Sequence, residues 1–141
     1  MAIPIEIYHY AGPGYKPLLL QLTWQVALLN WDEKCMRANL KEIEQHNHTA
    51  EVFVLLKGRS VLFVEPEGEQ LLAFDCQPGV IYNVPAGVWH TLLADREATF
   101  LIVEERDTHL NDTHVRPISS AELQEIDARL PGVWRAGRFS D

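Results

Sequence analysis

His46 and His48 stand two residues apart, Glu51 follows them, and His90 lies inside an apolar stretch, Val88-Trp89-His90-Thr91-Leu92. Residues i and i+2 of a strand point to one face, roughly 6–7 Å apart. Two imidazoles at that spacing can converge on one ion. Glu51 opens the next strand after a very short link and can bring a carboxylate. A barrel can set His90 opposite this group. Imidazoles plus a carboxylate, with coordination positions left over, suit Fe, Mn, Ni, Co or Zn.

Other residues also carry chemical potential. Glu104 and Glu105 are adjacent on an expected strand, so only one can face inward. An inward carboxylate near a metal can serve as a general base. The commoner reading is a solvated pair beside Arg106. Residues 107–114 repeat Asp-Thr-His after five positions. Loop Asp and His can bind a second metal, but a polar loop near a barrel mouth is the favoured reading. Cys35 and Cys76 are far apart with no Cys-x-x-Cys, which excludes a thiolate zinc site. They read as buried thiols, and Trp24 and Trp89 as packing residues.

The elements that must position these groups are mostly short strands. Residues 1–17 hold Pro4, Gly12, Pro13, Gly14 and Pro17 and are expected to form an arm with turns. Strands are expected at Leu18–Leu22, Trp24–Leu29, Glu51–Lys57, Ser60–Glu65, Leu71–Phe74, Val80–Val84, Val88–Ala94 and Thr99–Glu105, with a weaker one at Leu40–His46. Lys57-Gly58-Arg59 is a hairpin signal. Ser119-x-x-Glu122 is a capping box opening an amphipathic helix, Ala121–Leu130, ended by Pro131-Gly132. Val133 and Trp134 follow as apolar anchors. Regularly spaced short strands indicate an antiparallel sandwich or barrel.

One motif narrows this. Gly79-Val80-Ile81-Tyr82-Asn83-Val84-Pro85-Ala86-Gly87-Val88-Trp89-His90 runs through the pattern Gly-x5-Pro-x-Gly-x2-His without a gap. At these residues the chain resembles the cupins. Their other motif reads His-x-His, three or four residues, Glu, six residues, Gly. Glu51 and Gly58 have that separation. Only Thr49 and Ala50 lie between His48 and Glu51, one residue short. A slip of one turns a strand side chain to the other face. Either a shortened loop keeps both histidines pointing in, or only one of them does. The residue four after His90 is Ala94, where the family often has Asn.

The resemblance covers Leu18–Glu105. It implies an all-β double-stranded β-helix, or jelly-roll barrel, at 18–106, with a loop and C-terminal helix at 107–141 packed on it. It implies a divalent transition metal near the barrel centre, held by His46, His48, Glu51 and His90. It also implies a homodimer, as cupins often are. The expected function is an isomerase- or dioxygenase-type reaction on a small polar metabolite such as a sugar or keto acid. The alternative is a non-enzymatic small-molecule-binding or metal-free cupin.

Composition bounds what else the chain can do. Its 141 residues suit one domain. With 20 Asp+Glu against 12 Lys+Arg the net charge is -8, and no basic cluster offers itself to nucleic acid. No apolar run approaches the 18 or so residues of a membrane-spanning helix. The N-terminus lacks the basic start and apolar core of a signal peptide, so a cytoplasmic protein with free thiols is expected.

Overall fold

The computed structural model describes residues 4–133. The expected anchor Trp134 lies outside them. Ten strands and two helices follow in order among these residues: β1 (Gly14–Leu20), β2 (Trp24–Asn30), β3 (Glu42–Gln45), β4 (Glu51–Lys57), β5 (Ser60–Glu65), β6 (Leu72–Asp75), β7 (Ile81–Val84), β8 (Trp89–Ala94), β9 (Thr99–Glu105), α1 (Thr108–Asn111), β10 (His114–Pro117) and α2 (Ser120–Val133). They form two five-stranded antiparallel sheets, ordered β1-β2-β9-β4-β7 and β10-β3-β8-β5-β6. From β3 onward the chain passes back and forth between the sheets, which is an all-β jelly roll with a C-terminal helix.

Alternation explains the main core. Phe53 and Leu55 of β4, Phe100 and Ile102 of β9, and Ala27 of β2 turn inward and meet Leu62 of β5. On β5 the buried run Ser60–Phe63 does not alternate, because both of its faces are covered. Leu62 faces the other sheet. Val61 and Phe63 join Leu71 and Leu93 in a second cluster that packs against Leu123, Ile126 and Leu130 of α2. Ile126 is fully buried, and burying such a side chain is worth about 1.5–3 kcal/mol. The capping box forms as its sequence implies. Glu122 N donates to Ser119 Oγ at 3.1 Å, and Ser119 N donates to Glu122 Oε1 at 2.9 Å.

Three boundaries differ from expectation. The arm stops short of residue 17, because β1 begins at Gly14 and includes Pro17. β1 is an edge strand with an irregular register between Pro17 and Leu19, where a missing N–H is tolerated. Helix α2 runs past Leu130 to Val133, with Pro131 in its last turn, where the lost backbone bond lies at a fraying end. β10 was not expected: His-Val-Arg-Pro has one apolar residue, and it pairs as an edge strand with β3. No helix among the described residues is long and apolar enough to cross a membrane.

Candidate metal centre

Glu44 of β3 pairs directly opposite His90 of β8. His46 comes just after β3, and Glu51 opens β4 on the facing sheet. His90 is 2% exposed, and His46 and Glu51 are 5% exposed. His46 Nε2 lies 2.8 Å from Glu51 Oε2, and His90 Nε2 lies 3.0 Å from the same oxygen. Glu44 Oε1 is 3.5 Å from His90 Nε2. Phe53 meets the His90 ring edge-on, with centroids 5.9 Å apart, and closes the apolar side.

The far side of each imidazole is tied to backbone. His46 Nδ1 lies 2.8 Å from the Asp112 carbonyl, and His90 Nδ1 lies 3.0 Å from the Val88 carbonyl. A carbonyl can only accept, so each Nδ1 carries the hydrogen and each Nε2 is the nitrogen presented to the centre. The Pro85-Ala86-Gly87 turn is fastened to this group as well, since Gly87 N donates to the His46 carbonyl at 2.7 Å.

One donor atom from each of Glu44, His46, Glu51 and His90 lies within 4.8 Å of the others. Donors about 2.1 Å from a shared ion stand about 3.0 Å apart in adjacent octahedral positions and about 3.4 Å apart in tetrahedral ones. The observed separations of 2.8 to 3.5 Å fall at that spacing. Two anchored imidazoles and two carboxylates therefore fit a divalent transition ion.

His48 lies outside this cluster. Its side chain is 74% exposed, and its nearest acid, Asp112 Oδ1, is 4.0 Å away. The cause is the buried Asp112 carboxylate, which accepts from Asn47 N at 3.0 Å and His48 N at 2.8 Å. Those bonds turn the backbone outward just after His46. Glu44 stands in the cluster instead. With Glu44 and His46 as the pair, four residues precede Glu51 and six more precede Gly58. The first cupin spacing is then complete, with Glu in place of the first His. The residues of the 107–114 loop serve as supports: Asp112 orients His46, and Asp107 N donates to Gln25 Oε1 at 3.0 Å.

The metal-free charges are mutually balanced. Burial opposes a positive His46, but the hydrogen bond and charge of Glu51 outweigh it and raise its pKa to about 9. Burial likewise opposes charge on His90, and Glu44 and Glu51 together raise it to about 10. For Glu51 burial works toward the neutral form, and the two imidazoles win, holding its pKa below the ordinary value.

Glu104, unlike the exposed Glu105, faces the interior at 5% exposure. It lines the same cavity as the cluster, a space of about 810 Å³ that also touches Tyr15, Ile102 and His109. Tyr15 OH donates to Glu104 Oε1, and Gln25 Nε2 approaches that oxygen at 3.3 Å. Burial, then the charge of Glu51, raise its pKa to about 7.

No family model and no curated protein matches the chain. Solved structures do. Oxalate decarboxylase from Bacillus subtilis aligns at 15% identity and a TM-score of 0.54, covering 74% of this chain and 28% of that one. KdgF from Halomonas sp. aligns at 16% identity and 0.51, covering 74% and 92%. A variant of PAC13 from Streptomyces, solved with uridine, aligns at 11% identity and 0.55, covering 80% and 88%. At these identities the likeness is one of fold. Oxalate decarboxylase and KdgF belong to the cupin superfamily, and this chain has the cupin fold.

Proposed function

We propose that the chain binds one divalent transition metal through Glu44, His46, Glu51 and His90 and acts on a small polar molecule in the adjoining cavity. The observation that carries this is the convergence of two Nε2 atoms, each fixed by an Nδ1 bond to backbone, on the Glu51 carboxylate. Two carboxylates in four donors favour the harder ions of the expected set, Mn and Fe(II), over Ni, Co and Zn. A bound ion supplies a Lewis acid that polarises a carbonyl or hydroxyl. The chain's own residues orient the donors, exclude water on the Phe53 side and bring Glu104 to the same space.

A second reading is a metal-free binding module. It is favoured by the way His46 and His90 already satisfy Glu51 without an ion. Elemental analysis of protein purified without chelator, then loaded with Mn(II), decides between them. About one equivalent is expected in the wild type and in His48→Ala, and only traces in His90→Ala. Trace metal in the loaded wild type would sink the metal reading.

We assign the protein to the cytoplasm, on its buried, unpaired Cys35 and Cys76. We also assign it a homodimeric state, on the unpaired edge strands of its two sheets.

A further inference from the structure

We propose that Glu104 is the acid–base residue of the cavity, moving a proton to or from a small uncharged hydroxy-carbonyl compound held at the Glu44–His46–Glu51–His90 centre. This rests on the metal reading above.

The placement follows from register. Gln25 pairs opposite Glu104 between β2 and β9. Between β4 and β9, Phe53 pairs with Ile102 and Val52 with Val103. Glu51 and Glu104 are the next residues along the two strands, and the charge of Glu51 acts on Glu104. Gln25, Glu104 and Glu51 thus form one buried polar row across the inner face of the sheet, beside the apolar row Ala27, Ile102 and Phe53.

Only half of the Glu104 carboxylate is used by the protein. Oε1 is held by Tyr15 and Gln25, and Gln25 is itself fixed by Tyr15 OH at 2.8 Å and by Asp107 N. Oε2 is buried and has no hydrogen-bond partner among the described residues. A buried acceptor without a partner is costly, and a bound compound would provide one. With one oxygen steadied by Tyr15 and Gln25 and the other turned to the cavity, this carboxyl is placed to take and return a proton.

The cavity wall indicates the class of compound. Its lysines, Lys34 and Lys41, are exposed, and among the described residues no arginine lines it. A phosphate or carboxylate away from the centre would meet Glu104 without a buried lysine or arginine beside it. A neutral compound with adjacent hydroxyl and carbonyl groups, of sugar type, avoids that conflict. In the step proposed, Glu104 Oε2 takes the proton from the hydroxyl-bearing carbon next to the carbonyl. The C–H electron pair moves into the carbon–carbon bond and the carbonyl pair onto its oxygen. Glu104 then returns the proton to the same carbon as the oxygen pair re-forms the carbonyl, or to the former carbonyl carbon while the hydroxyl proton passes to the former carbonyl oxygen and the hydroxyl carbon becomes the new carbonyl.

The test uses the full chain loaded with Mn(II) in D2O, with dihydroxyacetone, xylose and glucose as probes. Relaxation of probe protons by Mn(II) reports binding at the centre, and mass spectrometry reports deuterium taken up by the probe. Wild type and the surface control Glu105→Gln are expected to exchange at least one probe. Glu104→Gln should exchange it on the order of 100-fold more slowly or worse, with Mn content and probe relaxation unchanged. Tyr15→Phe should shift the pH of half-maximal exchange while keeping the metal. Exchange by Glu104→Gln within a few-fold of wild type overturns the proposal, as does a wild-type probe held at the metal without exchange. If none of the probes nears the metal, the compound class is overturned. If Glu104→Gln does not fold, an unshifted Tyr15→Phe profile overturns the role. Absence of Mn from the wild type refutes instead the metal reading beneath.

Discussion

Glu51 carries the charge balance of the centre. In the metal-free chain two imidazolium groups face two carboxylates, and one divalent ion can replace the two protons at the same net charge. The sign of the pH dependence follows. His46 and His90 are raised from the ordinary 6.5 to about 9 and about 10, so their contribution to stability is complete below about 6.5 and is lost as pH rises through 9 to 10. Glu51 is lowered from 4.5, so its contribution is present above that value and is lost as pH falls through the lowered one. Thermal melts of chelator-treated protein should therefore show a Tm that declines between about pH 7 and 10, and excess Mn(II) should abolish the decline. A metal-free Tm that stays level over that range would count against these pairings. At this scale the sequence was partly legible. His90 and Glu51 could be read because intact spacing ties them to Gly79 and Gly58. Glu44 was visible only as a residue sharing strand parity with His46, and a search for paired imidazoles passes over a carboxylate. His48 misled because its outward turn is imposed by Asp112, 64 positions away.

Among the elements, β7 holds Glu51 in register by pairing it with Val84, and the turn at Gly58, which carries the chain from β4 in one sheet to β5 in the other rather than closing the expected hairpin, admits almost no substitution. Gly58 has φ +76°, and a Cβ there would come within 2.4 Å of Ala98 N and 2.5 Å of Ala98 Cα. Both obstacles are backbone, so they cannot swing aside. Gly58→Ala should cost more than about 2 kcal/mol, combining the left-handed penalty with the clash. Gly68→Ala, at φ +74° with open space around it, should cost only about 1–2 kcal/mol. Urea unfolding of the two variants measures the contrast, and equal losses would refute the close approach. Strands that alternate under a core, such as β4 and β9, were legible to the residue, because burial of every second side chain writes itself into the sequence, and β5 was legible as a short apolar run covered on both faces. β10 was not, and β1 was read only from Leu18 onward. An edge strand needs no alternating apolar face and tolerates proline, so Pro17 and Pro117 concealed them.

For the whole molecule, the two sheets end in four edge strands, β1, β7, β10 and β6. Unpaired edges invite association, and a two-fold pairing covers an edge on both copies at once. Exposed apolar side chains lie beside these edges: Leu20 and Trp24 flank the β1–β2 turn, Ile81 stands on β7, and Val115 on β10. A chain with a net charge of -8 is not kept apart by charge where such surface meets, because at physiological salt repulsion fades within about 8 Å. Light scattering at micromolar concentration and 0.15 M salt should give twice the 16.1 kDa chain mass. A monomer under those conditions would contradict the dimer. The four donors of the proposed metal centre come from one chain, so a dimer disrupted by dilution should keep one metal per chain. Loss of metal on dissociation would mean that the partner steadies the site.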